Sequence, residues 1–151
     1  MNKIFSKLLT ASLVAACLCG CSSSKDDIVI IHTDDAPAAI GPYSQGYIAD
    51  DFLYTSGQIA IDPKNNEFVN GTIEEQTALV ISNLKAILNA AKTSIDKVIK
   101  TTCYLTDINE FSAFNGVYEQ YFVSKPARSC VEVSNLPKGA KVEIELVAYV
   151  G

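Results

Sequence analysis

The hydrophobic and polar positions of the chain follow two different periods, and these predict strands and helices in a mixed order. Alternating or continuously β-branched runs predict strands at residues 28–32, 47–48, 52–56, 97–105, 128–133 and 142–150, with a further short piece at 58–61. Two other stretches have apolar residues at helical spacing. The resulting order is β-β-β-α-β-α-β-β, an α+β fold in which two amphipathic helices cover one face of a single sheet.

Capping residues mark where both predicted helices begin. Thr72 followed by Glu75 is a capping-box pattern at the start of a helix over 73–92. Asp107 is placed to cap the second helix. That helix has Asn115 beside a stripe of buried aromatic residues, which are Phe111, Phe114, Tyr118, Tyr121 and Phe122.

The last predicted strand places two carboxylates among strongly apolar residues. Alternation puts Val142, Ile144 and Leu146 on one face, and the other face carries Glu143, Glu145, Val147 and Tyr149. Solvated carboxylates at the start of a strand are the simpler interpretation of the two glutamates. Because the face without helices is otherwise apolar, we expect further copies of the chain to cover it in a homo-oligomer.

The first 20 residues have the pattern of an export signal. Lys3 and Lys7 precede an apolar run over 8–18, which is too short to span a membrane core of about 30 Å. Residues 18–21 resemble the lipobox of bacterial lipoproteins, where the signal is removed before a cysteine that carries the lipid. Cys21 is the predicted lipidated residue, and Cys17 is an alternative.

An ordinary secretory signal with incidental cysteines is the other interpretation of this segment. With the lipobox interpretation, residues 1–20 are removed, residues 21–27 form a polar tether, and 28–151 is the folded domain. The sequence then predicts an exported lipoprotein in the periplasm or at the cell surface. Its contact with the membrane is through the lipid anchor alone.

The charge and composition of the chain argue against a nucleic-acid partner, a disulfide framework and a metal site. The formal net charge of −5 becomes −7 once Lys3 and Lys7 leave with the signal, which argues against a nucleic-acid partner. Cys103 and Cys130 are the thiols that remain, so no disulfide framework is predicted. The single histidine, His32, leaves too few ligands for a zinc site, and no metal is expected.

Arg128 is the only arginine among 12 cationic residues. A guanidinium differs from an ammonium because it offers a rigid pair of donors that matches a carboxylate. Alternation places Cys130 and Glu132 on the same face of its strand. The pattern therefore indicates recognition of a planar anion, while a structural ion pair with a glutamate on a neighbouring strand is the alternative.

Five segments in a fixed order carry a resemblance to a known family, and they are residues 36–46, 55–58, 100–102, 126–133 and 141–145. On these segments the chain from Ile28 to Gly151 resembles the RidA (YjgF) family. The resemblance implies a chorismate-mutase-like fold assembled as a homotrimer, with three pockets between subunits. It also implies hydrolysis of 2-aminoacrylate-type enamines, or 2-imino acids such as 2-iminopropanoate and 2-iminobutanoate, to 2-keto acids and ammonia without a cofactor.

The resemblance also implies a role for each site residue. Arg128 would hold the substrate carboxylate in a two-pronged ion pair, and Glu143 would orient the attacking water and shuttle its proton. Further substrate contacts and the pocket wall would come from Tyr43, Ser56, Asn115 and Cys130.

The last four residues also have simpler interpretations. Asn115 alone is a helix-surface amide, and Tyr43 alone is a packed loop aromatic. Cys130 has no evident base to activate it and Ser56 has no Ser-His-acid context, so neither is expected to act as a nucleophile.

Two features depart from the family pattern. Residues 123–125 form a shorter stretch than in many relatives, with Lys125 where an aromatic is often found, so we expect one rim of the pocket to be more open. The export signal separates the protein from the cytoplasmic enzymes that generate 2-aminoacrylate. A non-catalytic module for small carboxylates is a competing function. Ribonuclease activity, attributed to some relatives, is disfavoured by the acidic charge.

Overall fold

The domain is built on a six-stranded mixed sheet. The computed structural model describes residues 28–151, so the predicted signal peptide over 1–20, the lipidation site Cys21 and the tether over 21–27 lie outside the described residues. The sheet strands are β1 (Val29–Ile31), β2 (Gly46–Ala49), β3 (Phe52–Thr55), β6 (Val98–Leu105), β7 (Ala127–Glu132) and β8 (Val142–Tyr149). They lie in the order β1-β2-β3-β8-β6-β7, and only β6 and β7 run parallel.

Two helices, α1 (Ile73–Ala90) and α2 (Phe111–Tyr121), pack on one face of this sheet. Val142, Ile144 and Leu146 of β8 point into the core beneath them and are at most 2% exposed. The predicted apolar face of the last strand is therefore confirmed, and so is the α+β fold with two helices on one sheet face. Within residues 28–151, no helix has the length and apolar character needed to cross a membrane.

No helix within residues 28–151 covers the opposite face of the sheet. Tyr47 and Tyr54 are paired across β2 and β3, and Ile30 is paired with Tyr47 across β1 and β2. These three side chains are 41%, 48% and 61% exposed, respectively. A continuous apolar row at this exposure is typical of a protein interface. The covering of this face by further copies of the chain stays a prediction.

The start of α1 is confirmed, and its end is earlier than expected. Thr72 Oγ1 accepts a hydrogen bond from the Glu75 amide at 3.3 Å, and Glu75 Oε2 accepts one from the Thr72 amide at 2.9 Å, which completes the capping box. The helix ends at Ala90, two residues before the predicted end. Lys92 has a left-handed backbone with φ of 59°, a conformation that closes the helix.

Asp107 caps a turn of 3-10 helix, Ile108–Glu110, and α2 begins only at Phe111. Asp107 Oδ1 accepts from the Asn109 amide at 2.9 Å, and the Glu110 amide donates to the Asp107 carbonyl at 3.2 Å. The sequence placed the α-helix directly after Asp107. The bond between residues three apart tightens the first turn into 3-10 geometry instead.

The chain between β3 and α1 differs from the continuous strand piece predicted over 58–61. Only Gln58 rejoins the main sheet, where it exchanges backbone hydrogen bonds of 2.9 and 3.1 Å with Ile144. The chain then turns away as a separate hairpin of β4 (Ile61–Asp62) and β5 (Glu67–Phe68). The Ile61 amide donates to the Ile59 carbonyl at 2.8 Å, and this tight turn breaks the predicted strand before β4 begins.

Candidate active site

The Arg128 guanidinium is held between α2 and the edge strand β7. Its Nη1 donates a hydrogen bond to Asn115 Oδ1 at 2.9 Å. The guanidinium carbon lies 4.6 Å from the ring centroid of Tyr118, 5.5 Å from that of Phe111 and 5.9 Å from that of Phe114. Aromatic faces at these distances attract a cation, so one amide and three rings stabilise the half-buried guanidinium.

No carboxylate among residues 28–151 lies within ion-pair distance of Arg128. The strand register explains why a glutamate of the last strand cannot provide one. Arg128 is paired with Thr101 on the helix side of the sheet, whereas Glu143 is paired with Tyr104 on the other side. The structural ion pair considered as an alternative is therefore not formed within the described residues. A positioned guanidinium of this kind is suited to an external carboxylate.

A cleft of about 350 Å³ opens beside this guanidinium, between α2 and the start of β7. We call it the arginine cleft, and its lining comprises Asn115, Tyr118, Glu119, Phe122, Lys125, Pro126 and Arg128. The amide of Lys125 donates to the Phe122 carbonyl at 3.0 Å, and its backbone is left-handed with φ of 54°. The short stretch over 123–125 thus folds back tightly, and its exposed lysine forms one rim of the cleft.

The two thiols lie next to Arg128, where Cys103 of β6 is paired with Cys130 of β7. Burial raises the pKa of Cys130, and the positive charge of Arg128 opposes this only in part. Burial also raises the pKa of Cys103 to about 12. Neither thiol has the lowered pKa of a catalytic nucleophile.

Glu143 lies on the helix-free face, in a second cleft of about 500 Å³. Burial raises the pKa of its carboxyl group, and the negative charge of Glu145 on the same face raises it further. Tyr104, paired with Glu143 across β6 and β8, donates from its hydroxyl to Glu145 Oε1 at 3.4 Å. A carboxyl group with a raised pKa binds a proton more readily than an ordinary glutamate, which suits a proton carrier.

The break after β3 brings backbone directly against Glu143. A Cβ atom at Gly57 would overlap Oε1 of that carboxylate, so only glycine fits beside it in this position. Ser56 ties the break to the preceding loop, because its hydroxyl donates to the Ser44 carbonyl at 2.6 Å and its amide donates to the Gln45 carbonyl at 3.0 Å. The Ser56 hydroxyl therefore uses its only proton in the bond to Ser44, and its oxygen can still accept a hydrogen bond from another group.

The loop before β2 closes the second cleft and is held by one buried glutamine. Gln45 is 2% exposed, its Oε1 accepts from the Thr33 amide at 2.7 Å, and its Nε2 donates to the Pro37 carbonyl at 2.9 Å. Tyr43 stands at the rim, where its hydroxyl accepts from the Ile40 amide at 3.3 Å. We call this the glutamate cleft, and its polar lining includes Tyr43, Gln45, Ser56, Gln58, Glu143 and Glu145.

The six predicted site residues fall into two groups. The first group lies on the helix side of the sheet, where Arg128 and Asn115 line the arginine cleft and Cys130 follows Arg128 on the same face of β7 without lining the cleft. The second group lines the glutamate cleft, and consists of Tyr43, Ser56 and Glu143. Because the sheet lies between the two clefts, one small molecule cannot contact both groups within one chain.

Sequence reasoning did not single out three residues that shape these clefts. Tyr118 was assigned to the core stripe, although it also lies against the guanidinium. Gly57 follows Ser56 in one of the family segments, which was the available signal. Gln45 lies in the family segment over 36–46, but its structural role could not be recognised, because its partners are backbone groups brought together only by the fold.

Within residues 28–151, no three His, Cys, Asp or Glu side chains are grouped so that they could hold a metal ion. The expectation that the protein needs neither metal nor cofactor stays a prediction.

The sequence matches known proteins over nearly the whole described domain. Residues 33–150 match the family model described as Endoribonuclease L-PSP. The chain is 54% identical over 121 residues to a RutC family protein of Pyrococcus horikoshii, covering 80% of this chain and 96% of that protein. It is 46% identical over 123 residues to the 2-iminobutanoate/2-iminopropanoate deaminase of Homo sapiens, covering 81% and 90%.

Solved structures have the same fold. The YjgF gene product of E. coli is 42% identical with a TM-score of 0.76, and covers 80% of this chain and 98% of its own. E. coli TdcF with bound serine is 43% identical with a TM-score of 0.77 at the same coverage. The chain therefore belongs to the Endoribonuclease L-PSP family, which is the family of RidA and YjgF.

Proposed function

We propose that the protein is a hydrolytic deaminase of 2-imino acids and their enamine tautomers, with 2-iminopropanoate and 2-iminobutanoate as substrates and 2-keto acids and ammonia as products. The observation that carries the proposal is the Arg128 guanidinium, which donates a hydrogen bond to Asn115 and has no carboxylate partner among the described residues. A 2-imino acid supplies such a carboxylate. The activity in the name of the human relative supports the same reaction.

The proposed chemistry needs one carboxylate clamp and one proton carrier. Arg128 binds the substrate carboxylate and so fixes the imine carbon beside a water molecule. The substrate reacts as its protonated iminium: Glu143 takes a proton from this water as the water oxygen bonds to the carbon, and the C=N π electrons neutralise the nitrogen to an amino group. Glu143 passes the proton to the amino nitrogen. It then accepts the hydroxyl proton as the C=O bond forms and the C–N bond breaks, and it returns to its starting state when ammonium leaves.

We further propose that the chain forms a homotrimer, in which the arginine cleft of one subunit meets the glutamate cleft of the next. Two features support this assembly. The residues needed for the reaction lie on opposite faces of one sheet, and the face that carries Glu143 has an exposed apolar row. Burial of that row would stabilise the assembly at about 25 cal/mol per Å² of apolar surface.

The test is hydrolysis of imino acids produced by an amino-acid oxidase, measured in competition with trapping by semicarbazide. The wild-type protein is expected to accelerate hydrolysis. Arg128→Lys is expected to lower kcat/KM by about 100-fold or more, because an ammonium cannot form the two-pronged bond. Lys85→Met is the matched control, since it removes an exposed cation that lies near Tyr121 instead. Full activity in Arg128→Lys would contradict the proposed clamp.

Two further measurements, of ligand binding and of RNA cleavage, could indicate a different function for the protein. Tight calorimetric binding of 2-ketobutyrate without turnover would indicate a non-catalytic module for small carboxylates. RNA cleavage that is lost in Glu143→Ala would indicate ribonuclease activity, which the net charge of −5 disfavours.

We also propose that the protein is exported and lipid-anchored at Cys21, on the basis of its first 27 residues alone. Labelled palmitate is expected to enter the wild-type protein and Cys17→Ala, and to be absent from Cys21→Ala. Equal labelling of wild type and Cys21→Ala would contradict this assignment.

A further inference from the structure

The aromatic ring nearest to Arg128 belongs to Tyr118, and this residue has no assigned role in the proposed reaction. We infer that Tyr118 is a positioning residue, which sets the plane of the Arg128 guanidinium and thereby the affinity for the substrate carboxylate. The inference rests on the proposed function. Its basis is the 4.6 Å distance from the guanidinium carbon to the Tyr118 centroid, against 5.5 Å for Phe111 and 5.9 Å for Phe114.

The Tyr118 ring is held on two sides inside the fold. It is 6% exposed and stacks on Phe122, with centroids 4.3 Å apart and an interplanar angle of 23°. Its hydroxyl is 2.8 Å from the buried hydroxyl of Thr101. Thr101 is also the strand partner of Arg128 in the parallel pair β6 and β7. The ring is therefore fixed to the same strands that carry the guanidinium it supports.

A single hydrogen bond does not define the orientation of a long side chain. Arginine loses up to about 2 kcal/mol of rotamer entropy when it is ordered, so an unsupported guanidinium would sample several directions. The bond from Nη1 to Asn115 fixes one point of the guanidinium, and the Tyr118 ring fixes its plane. The other N–H donors then remain for a carboxylate in the same plane.

The ring also removes water from one side of the cation. A guanidinium covered by an aromatic face is less solvated there, so its attraction for an approaching carboxylate is less screened. Burial raises the pKa of the Tyr118 hydroxyl, which keeps the phenol neutral near pH 7. Tyr118 thus contributes through its ring, and it carries no proton in the reaction.

The test compares Tyr118→Leu with Tyr118→Phe and with a matched control, Tyr121→Leu. Tyr121 is on the same helix and half-buried, but its ring lies near Lys85 rather than Arg128. Three quantities are measured on the full chain. They are kcat and KM for 2-iminobutanoate hydrolysis, and the calorimetric Kd of the product 2-ketobutyrate.

Tyr118→Leu is expected to raise KM and the 2-ketobutyrate Kd by about tenfold, with a smaller change in kcat, because carboxylate binding is lost equally from ground and transition states. Tyr118→Phe keeps the ring and is expected to remain within about threefold of wild type. Tyr121→Leu is expected to leave KM and the 2-ketobutyrate Kd near the wild-type values. If Tyr118→Leu does not fold, Tyr118→Met fills the same core space with a flexible side chain that has no aromatic face, and it is expected to raise KM and Kd in the same direction.

A folded Tyr118→Leu with unchanged KM and Kd would overturn the inference and leave the proposed function intact. Equal increases in Tyr118→Leu and Tyr121→Leu would also overturn it, because they would reflect a general loss of packing. A wild-type protein that neither hydrolyses 2-iminobutanoate nor binds 2-ketobutyrate would instead contradict the proposed function itself, and the inference with it.

Discussion

At the scale of single residues, the two charged groups of the proposed site have opposite environments. Arg128 is attracted to aromatic faces and one amide oxygen, all of which leave its positive charge in place. Glu143 is half-buried beside the like charge of Glu145, which makes its ionised form less stable and raises its pKa. The first setting suits a permanent anion receptor, and the second suits a group that gains and loses a proton.

Gly57→Ala is expected to disable Glu143 without unfolding the protein. The added Cβ would overlap the end of the Glu143 side chain, which can rotate away at little cost. We expect kcat to fall by about 10- to 100-fold, because a displaced proton carrier no longer meets the water. Gly116→Ala is the control, since no atom lies within 4 Å of the Cβ it would add. Wild-type kcat in Gly57→Ala would argue against Glu143 as the proton carrier.

The raised pKa of Glu143 also predicts a pH-dependent stability. A pKa raised by folding means that ionisation of Glu143 costs stability as the pH rises through the folded pKa. Glu143→Gln removes this cost, so its melting temperature at pH 7 is expected to exceed that of wild type by about 1–2 °C. The difference should shrink below the ordinary glutamate range, where the carboxyl is protonated in both folded and unfolded states. Calorimetric melts at pH 4 and pH 7 measure it, and a larger gain at pH 4 would contradict the assignment.

At the scale of elements, α2 combines a core face with a ligand face. Phe114, Tyr118 and Phe122 pack beneath it at helical spacing, and Asn115 reaches Arg128 from the adjacent position. The sequence could predict this stripe and its neighbouring amide, because helical periodicity is local. It could not predict that Tyr118 serves both the core and the guanidinium, since that contact depends on which strand lies beneath the helix.

Thr72→Ala is expected to destabilise α1 without affecting the site. The substitution removes one half of the capping box at an exposed position, and we expect a loss of about 1 kcal/mol in the free energy of unfolding. Urea unfolding measures this loss, with exposed Ser82→Ala in the same helix as the control. KM for imino acids should be unchanged in both variants. A shift in KM with Thr72→Ala would show that α1 is coupled to the clefts more tightly than its contacts indicate.

At the scale of the whole molecule, the sheet separates the two clefts that the reaction needs together. Side chains alternate between the two faces along each strand. The strand register therefore places Arg128 under the helices and Glu143 on the helix-free face. The proposed site between subunits would resolve this separation, because a neighbouring copy could present its own Glu143 to the first copy's Arg128.

Mixing two inactive variants tests this arrangement. Arg128→Ala and Glu143→Ala are each expected to be inactive, and co-assembly from equal amounts should restore about one quarter of the wild-type activity, because one site in four of a ring then receives both native residues. The double variant mixed with wild type in the same way is the control for dilution. No recovery in mixed assemblies, with mixing verified by native mass spectrometry, would place both residues in one subunit's site.

The sequence by itself determined the element order, the two caps and the apolar face of β8. Caps and alternation are local features, because each depends on residues within one or two helical turns or strand positions. Neighbouring residues therefore suffice to predict the caps at Thr72 and Asp107 and the alternation from Val142 to Leu146. Five of the six candidate site residues lie within the family segments, and Asn115 lies outside them, beside the aromatic stripe of α2.

Only the tertiary structure decided how those six residues are divided. Whether Arg128 and Glu143 share a face depends on the pairing of β6 with β7 and β8, and a shift of one residue would reverse it. The break at Gly57 and the buried Gln45 likewise depend on contacts between distant segments. Strand register and loop packing depend on contacts between segments far apart in the sequence. They divide the candidate residues between two clefts on opposite sides of one sheet.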